Sequence, residues 1–280
     1  MTTTADPVVG NERPQIHPLS LAASSGAVVR RNLIHIKRMP ELLLDVTIQP
    51  VMFVLLFAFV FGGSIAVEGS NYREFLVPGI MTQTIVFAAF IVAIGLTNDL
   101  DKGIVDRLKS LPISRASILV GRSISSLIHS SIGIAVMALT GLLIGWRVRN
   151  GFIDGVFGFA LILLFGFAMI WVGIWVGSLF RSVEAVNGFM FTVMFPLTFM
   201  ANTFAPPENM PSVLRTLAEW NPVSALAQAT RELWGNGPAA PADAAFPLHH
   251  PELFTIGWSL LITAAFAPLA LAAFRRRSRD

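Results

Sequence analysis

The 280-residue chain contains no cysteine. Disulfides, thiolate metal sites and cysteine nucleophiles are therefore excluded. Charge is scarce as well. Only 13% of residues are Asp, Glu, Lys or Arg and 54% are hydrophobic, whereas a soluble domain carries about 25% charge. Mean hydropathy is +0.67. That little charge cannot clothe a surface exposed to water, so lipid must cover much of it. A soluble enzyme, a disordered chain and a secreted disulfide scaffold are ruled out. Lysine occurs only at Lys37, Lys102 and Lys109, and none follows a glycine. The phosphate-cradling GxxxxGK[ST] loop of an ATPase is thus missing, as are HExxH and GxSxG. His249 and His250 are adjacent and bracketed by Pro247 and Pro251, so they do not share a helix face and no metal site is expected. No pair of acids lies deep in an apolar run, which leaves a proton relay without its usual parts.

Long apolar runs are what the chain does have. A helix needs about 20 apolar residues to cross a bilayer. Six runs qualify, at about 46–66, 76–98, 123–145, 156–180, 186–204 and 253–274. Prolines fall within or at the start of several: Pro50, Pro78, Pro196 and Pro268. The polar segment before the first run lacks a short apolar core with a small-residue cleavage site, so that run reads as an uncleaved membrane segment. The expected fold is an all-α, polytopic integral membrane protein with six spans. Net charge is +3, and the position of the cations gives it meaning. With a cytoplasmic N-terminus, 15 of the 20 Lys and Arg residues fall inside, leaving Arg73, Arg147, Arg149, Arg215 and Arg231 outside. The positive-inside rule then places both termini in the cytoplasm and Arg275–Arg279 as a stop-transfer anchor.

The segments between the runs carry their own patterns. Residues 1–20 read as a flexible cytoplasmic tail. Residues 21–39 read as a basic amphipathic helix at the membrane interface, with Val29, Leu33 and Ile36 at helical spacing. The loop Asp99–Ser117 is dense in charge. Ile104, Leu108 and Leu111 share one helical face there, Lys102 and Asp106 can pair four residues apart, and Pro112 stops the helix. The fourth and fifth runs are joined by a short loop at 181–185 and form a tight hairpin. The long loop 205–251 holds two short helical pieces, one at 211–220 striped by Val213, Leu214, Leu217 and Trp220. The other, at 223–234, opens after Asn221-Pro222 and ends at Gly235. Both are too short to span and should lie on, or dip into, the outer leaflet. Residues 235–251 read as a surface loop.

Inside the runs the chemistry is sparse. Arg122 is positioned to snorkel to the interface. His129 is the one ionisable residue expected within hydrocarbon, either as a working residue or as a helix–helix hydrogen-bonding group. Gly173 and Gly177 form a small-xxx-small face for close helix packing. Gln83, Phe87 and Phe90 in the second run, and Phe191, Phe195 and Phe199 in the fifth, are candidate substrate-path residues. Aromatic walls with few polar groups suit planar lipophilic molecules. Phenylalanines packed against lipid or neighbouring helices give the same pattern. Such a chain either takes its power from an external motor or acts as a passive channel, an intramembrane enzyme or a structural subunit. The spans show no clustered polar groups for enzyme catalysis.

The stretch KGIVDRLKSLPISRASILVGR resembles the signature region of ABC-2 type permeases through Lys102, Gly103, Arg107, Leu108, Pro112, Arg115 and Gly121. Lys102 stands where that family often has Glu. REFLVPGIMTQT (73–84) and PPENMPSVLRTLAEWNPVSALAQATRELWGNGP (206–238) look like the daunorubicin-resistance permease group of that family. The resemblance implies six transmembrane helices in a cell-membrane protein that is not itself an enzyme. This chain would bind no cofactor, and ATP and Mg would sit on a separate ATP-binding subunit. Two permeases, identical or different, would pair with two such ATPases. By the same resemblance the loop after the second span is a cytoplasmic coupling helix, with Gly103, Ile104, Asp106, Arg107, Leu108, Lys109, Leu111, Pro112 and Arg115 meeting the ATPase. The pieces in the long loop would be extracellular re-entrant helices, and the second and fifth helices would flank the path. The implied function is ATP-driven export of lipophilic drugs or natural products. A permease for a lipid or lipid-linked glycan would share this architecture, and a passive channel would need no coupling helix.

Overall fold

The computed structural model describes residues 21–38, 44–62, 71–105, 114–207 and 210–277. Among them no strand occurs. The helices run α1 (Leu21–Arg38), α2 (Leu44–Leu56), α3 (Tyr72–Asp101), α4 (Arg115–Leu143), α5 (Phe152–Leu179) and α6 (Val183–Phe199), then α7 (Ser212–Glu219), α8 (Pro222–Trp234), α9 (Phe246–His249) and α10 (Pro251–Arg277). A π-helical turn, Phe57–Phe61, continues α2. Four helices, α3, α4, α5 and α10, are long and apolar enough to cross a membrane. Two of the six expected spans are shorter: α2 with its π turn, and α6 at 17 residues.

Local chemistry sets the boundaries. Asn71, Ser114, Ser182 and Asn221 each accept a hydrogen bond from a first-turn N–H of α3, α4, α6 and α8. This satisfies a donor that the helix itself leaves unpaired. Pro222 occupies the first position of α8, and Gly235 closes it in the left-handed conformation. The expected hairpin between the fourth and fifth runs is present, with residues 180–182 joining α5 to α6.

The centre of the bundle is α3 against α5, with α10 along the other side of α5 and α8 packed on both. Gly173 and Gly177 explain the closeness of α3 to α5. A Cβ at Gly173 would collide with the Ala89 carbonyl oxygen, and one at Gly177 would lie 2.6 Å from that of Ala93. The small-residue face read from the sequence is therefore a backbone-to-backbone contact. Phe75, Leu76, Ile80, Met81, Ile85 and Phe165 fill the core around it.

The flanking segments pack on the bundle to different degrees. α1 docks on α4 through Ser25, Val28 and Asn32. Ser24, Ser25 and Val28 are buried, Val29 only half so, and Ile34 is 40% exposed. Ser25 donates to the Ser117 carbonyl at 3.3 Å, and Asn32 to Ser125 Oγ at 2.8 Å. α8 is buried on nearly every face and packs into the bundle. The apolar stripe of α7 is exposed, with Val213 at 70% and Trp220 at 54%. One expectation needs correction: the stretch after Gly235 is not all surface. Asn236 is fully buried, accepting from Trp146 Nε1 and donating to the Arg147 carbonyl, both at 2.7 Å.

Candidate functional site

A cavity of about 620 Å³ opens between α2, α3, α4 and α6. Its size is that of a small-molecule site. The structure brings together in its wall all six substrate-path residues singled out from the sequence: Gln83, Phe87, Phe90, Phe191, Phe195 and Phe199. Gln49, Pro50 and Phe53 of α2, Ser130 of α4, and Ile80, Thr84, Ala88, Ile91 and Ile94 of α3 complete the wall.

Helical spacing builds the aromatic side. Phe191, Phe195 and Phe199 sit four residues apart on α6 and stack in a ladder. Their centroids are 5.2 Å and then 4.1 Å apart, with rings within 23° of parallel. Across the cavity Phe87 and Phe90 stand 6.3 Å apart at 53°. Among the described residues no charged side chain lines the space. Gln83 is 7% exposed, and no hydrogen bond joins its amide to another described residue. Thr84 is already satisfied by the Ile80 carbonyl at 2.8 Å. The cavity therefore offers flat apolar faces and the amides of Gln83 and Gln49, each able to donate and accept. It suits a planar, largely uncharged guest.

The ladder leaves the cavity through Phe204 and Phe57 and returns to its wall at Phe53. Phe199 lies 5.1 Å from Phe204, Phe204 stacks on Phe57 at 4.7 Å, and Phe57 stacks on Phe53 at 5.9 Å. The turn after α6 is tied down at this end. Tyr72 donates to the Phe204 carbonyl at 3.2 Å, and Asn221 to the Leu197 carbonyl at 2.7 Å. Arg231, fully buried, donates to the carbonyls of Phe75 and Thr203, both at 2.9 Å. Burial pulls its pKa down to about 9, so it keeps its charge at neutral pH. From the sequence Arg231 was only one of five outer cations. Its signal was a lone cation in the weakly polar stretch VSALAQATRELW.

The other end of the bundle carries α1, the end of α3 and the start of α4. Asp99 lies in the last turns of α3, not in a loop as expected, and pairs with Arg122 of α4. Arg122 thus has a protein partner besides any interface. Asp101 pairs with Arg277 of α10 at 2.9 Å. Gly103 turns the chain with φ of 65°, Ile104 is half-buried and Val105 is buried. Arg115 opens α4, half-buried. Asp106, Arg107, Leu108, Lys109, Leu111 and Pro112 lie outside the described residues. His129 is half-buried in α4. Among the described residues no cluster could hold a metal ion.

A sequence profile of the family described as ABC-2 type transporter matches residues 24–233. The chain is 31% identical over 248 residues to a daunorubicin resistance ABC transporter permease protein, DrrB1, of Streptomyces coeruleorubidus, covering 89% of this chain and 84% of that one. It is 24% identical to a probable doxorubicin resistance ABC transporter permease protein, DrrC, of Mycobacterium tuberculosis, covering 82% and 80%. A putative transport permease, ycf38, of Cyanophora paradoxa is 25% identical over 89% of this chain and 87% of its own.

Proposed function

The chain belongs to the ABC-2 type transporter family, and we propose that it is the permease subunit of an ATP-driven exporter of lipophilic drugs or natural products. One observation carries the substrate class. An uncharged cavity lined by α3 and α6 presents a phenylalanine ladder and the unpaired amide of Gln83. That lining supports binding of planar apolar molecules. The relatives named for daunorubicin and doxorubicin resistance support the same class.

In this reading all six apolar helices cross the cell membrane, α2 and α6 being the short ones. Both termini and the α1 end face the cytoplasm, and α1 lies at that interface. The segment at 205–251 faces outside, with α7 on the outer leaflet and α8 dipping into the bundle. A second permease copy and two ATP-binding subunits complete the transporter, and ATP with Mg is bound by those subunits. The segment from Gly103 to Arg115 docks on the ATPase through Ile104, Leu108 and Leu111, with Asp106, Arg107 and Lys109 setting register.

Closure of the ATPase pair on ATP pushes this segment. The push shifts the permease between inward-open and outward-open states only if the two states differ in their contacts with the motor. In the inward state the Phe199–Phe204–Phe57 stack stands between the cavity and the outer end, and the guest is held against the ladder. In the outward state that stack has parted.

Affinity purification of the tagged chain from native membranes tests the assembly. A Walker-motif ATPase at about equal amount is the expected result, and its mass spectrum also tells whether a second, different permease is present. A chain that comes out alone from mild detergent and ignores ATP overturns the reading in favour of a passive channel.

A further inference from the structure

The last turn of α10 meets the end of α3 through two residues. Phe274 is fully buried in a cluster with Leu96, Val105 and Ile118. Arg277, three residues on, donates from Nη2 to Asp101 Oδ1 at 2.9 Å. Its Nη1 donates to the Gly177 carbonyl at 2.9 Å and to the Phe180 carbonyl. The Arg277 side chain is 15% exposed, whereas Arg275 and Arg276 are exposed. A cation serving only to stop transfer has no reason to turn inward.

Each contact answers a local electrostatic need. Asp101 is the last residue of α3, at the negative end of the helix dipole, where an acid is disfavoured unless a cation meets it. The Gly177 carbonyl is one of those that the end of α5 leaves without an intrahelical donor. It accepts from Thr97 Oγ1 at 3.1 Å as well as from Arg277. One guanidinium thus joins α3, α5 and α10 at a single point. Immediately beyond it the chain turns at Gly103 into Ile104.

We infer that Arg277 is a positioning residue for energy coupling: it locks the base of the ATPase-contacting segment to α5 and α10. This rests on the permease reading above. A push on the segment then moves α3, α5 and α10 as one block, which the contact of Gly173 and Gly177 with α3 already stiffens. The opposite cavity wall, α6, buries only Val186, Met190, Met194 and Thr198. The block therefore moves against α6, and the cavity between them changes shape.

The test uses the whole chain with its co-purified ATPase in lipid nanodiscs. Because the chain has no cysteine, a single Thr84→Cys reporter in the cavity wall is labelled by a maleimide with and without ATP-vanadate. The expected result is a labelling rate that responds to nucleotide in the parent. In Arg277→Gln and Asp101→Ala that response falls about tenfold, as loss of a charge-assisted contact predicts, while ATPase binding and hydrolysis persist. The exchange Asp101→Arg with Arg277→Asp restores part of it. Asp101→Ala leaves both carbonyl contacts of Arg277 in place, so a folding defect confined to Arg277→Gln does not obscure the outcome. The inference is overturned if both single variants respond to ATP like the parent, or if both simply lose the ATPase. A parent that neither holds an ATPase nor responds to nucleotide overturns the permease reading instead.

Discussion

The Arg231 guanidinium lies 3.5 Å from the centroid of the Phe75 ring, although 156 residues separate the two in the chain. Stacked there, it reaches the carbonyls of Phe75 and Thr203 and fastens the turn after α6 onto the start of α3. Arg231→Ala leaves that turn without its buried donor. The expected loss of stability is on the order of 2–4 kcal/mol. It is measured as a lower melting temperature of the detergent-solubilised chain, with Arg231→Lys in between because lysine lacks the planar fork. A melting temperature unchanged by Arg231→Ala refutes the fastening role.

Two glycines in the apolar helices should respond oppositely to alanine. At Gly173 the added methyl meets the Ala89 carbonyl, whereas at Gly188 it would meet no described atom within 4 Å beyond its own turn of helix. Gly173→Ala forces α5 away from α3 and should cost about 1–3 kcal/mol. Gly188→Ala gains helix propensity and should be neutral or stabilising by up to about 1 kcal/mol. Thermal unfolding of the two variants side by side decides the matter. Equal effects contradict the packing described.

The helices and the aromatic wall were legible in the sequence because their signals are local. Apolar runs mark α3, α4, α5 and α10, Asn221-Pro222 and Gly235 bracket α8, and fourfold spacing puts Phe191, Phe195 and Phe199 on one face. What spacing cannot carry is which face meets which. The burial of α8 depends on α3, α5 and α10 surrounding it. α1 meets α4 where Gly121 leaves room for Val28, and where the Ser117 carbonyl and the Ser125 hydroxyl accept from Ser25 and Asn32. Asp99–Arg122, Asp101–Arg277 and Arg231–Phe75 join residues 23 to 176 positions apart. Nothing in one stretch of sequence announces such pairs, though a lone arginine in a weakly polar helix was a usable hint.

Within the cavity, the ladder and the amide should affect different properties of the guest. Phe195 stacks on both neighbours of the ladder, so Phe195→Ala opens its centre. The half-saturating concentration of a planar aromatic dye should rise about three- to tenfold, the range for one aromatic contact. Gln83→Leu keeps the bulk and removes the hydrogen bond. It should weaken dyes bearing a free amide or hydroxyl while leaving their methylated analogues unchanged. Transport assays in inverted vesicles with matched dye pairs measure both. Equal loss for both members of a pair shows that Gln83 is not a hydrogen-bonding contact.

The segment beyond Gly103 supplies the most direct test of energy coupling. Ile104, Leu108 and Leu111 recur at i, i+4 and i+7, so a helix there offers the ATPase one continuous apolar face. Leu108→Asp puts a carboxylate in the middle of that face, where burying it without a partner costs several kcal/mol and disfavours docking. Leu108 lies between apolar runs, so membrane insertion should be spared. The variant should reach the membrane at parental level, and transport-coupled ATP hydrolysis should be abolished. Leu108→Met, nearly equal in volume, should retain most of it. Hydrolysis stimulated by transported dye and measured on both variants discriminates the outcomes. If Leu108→Asp stays fully coupled, the apolar face is not the docking surface, and the charged residues Asp106, Arg107 and Lys109 become the next to substitute.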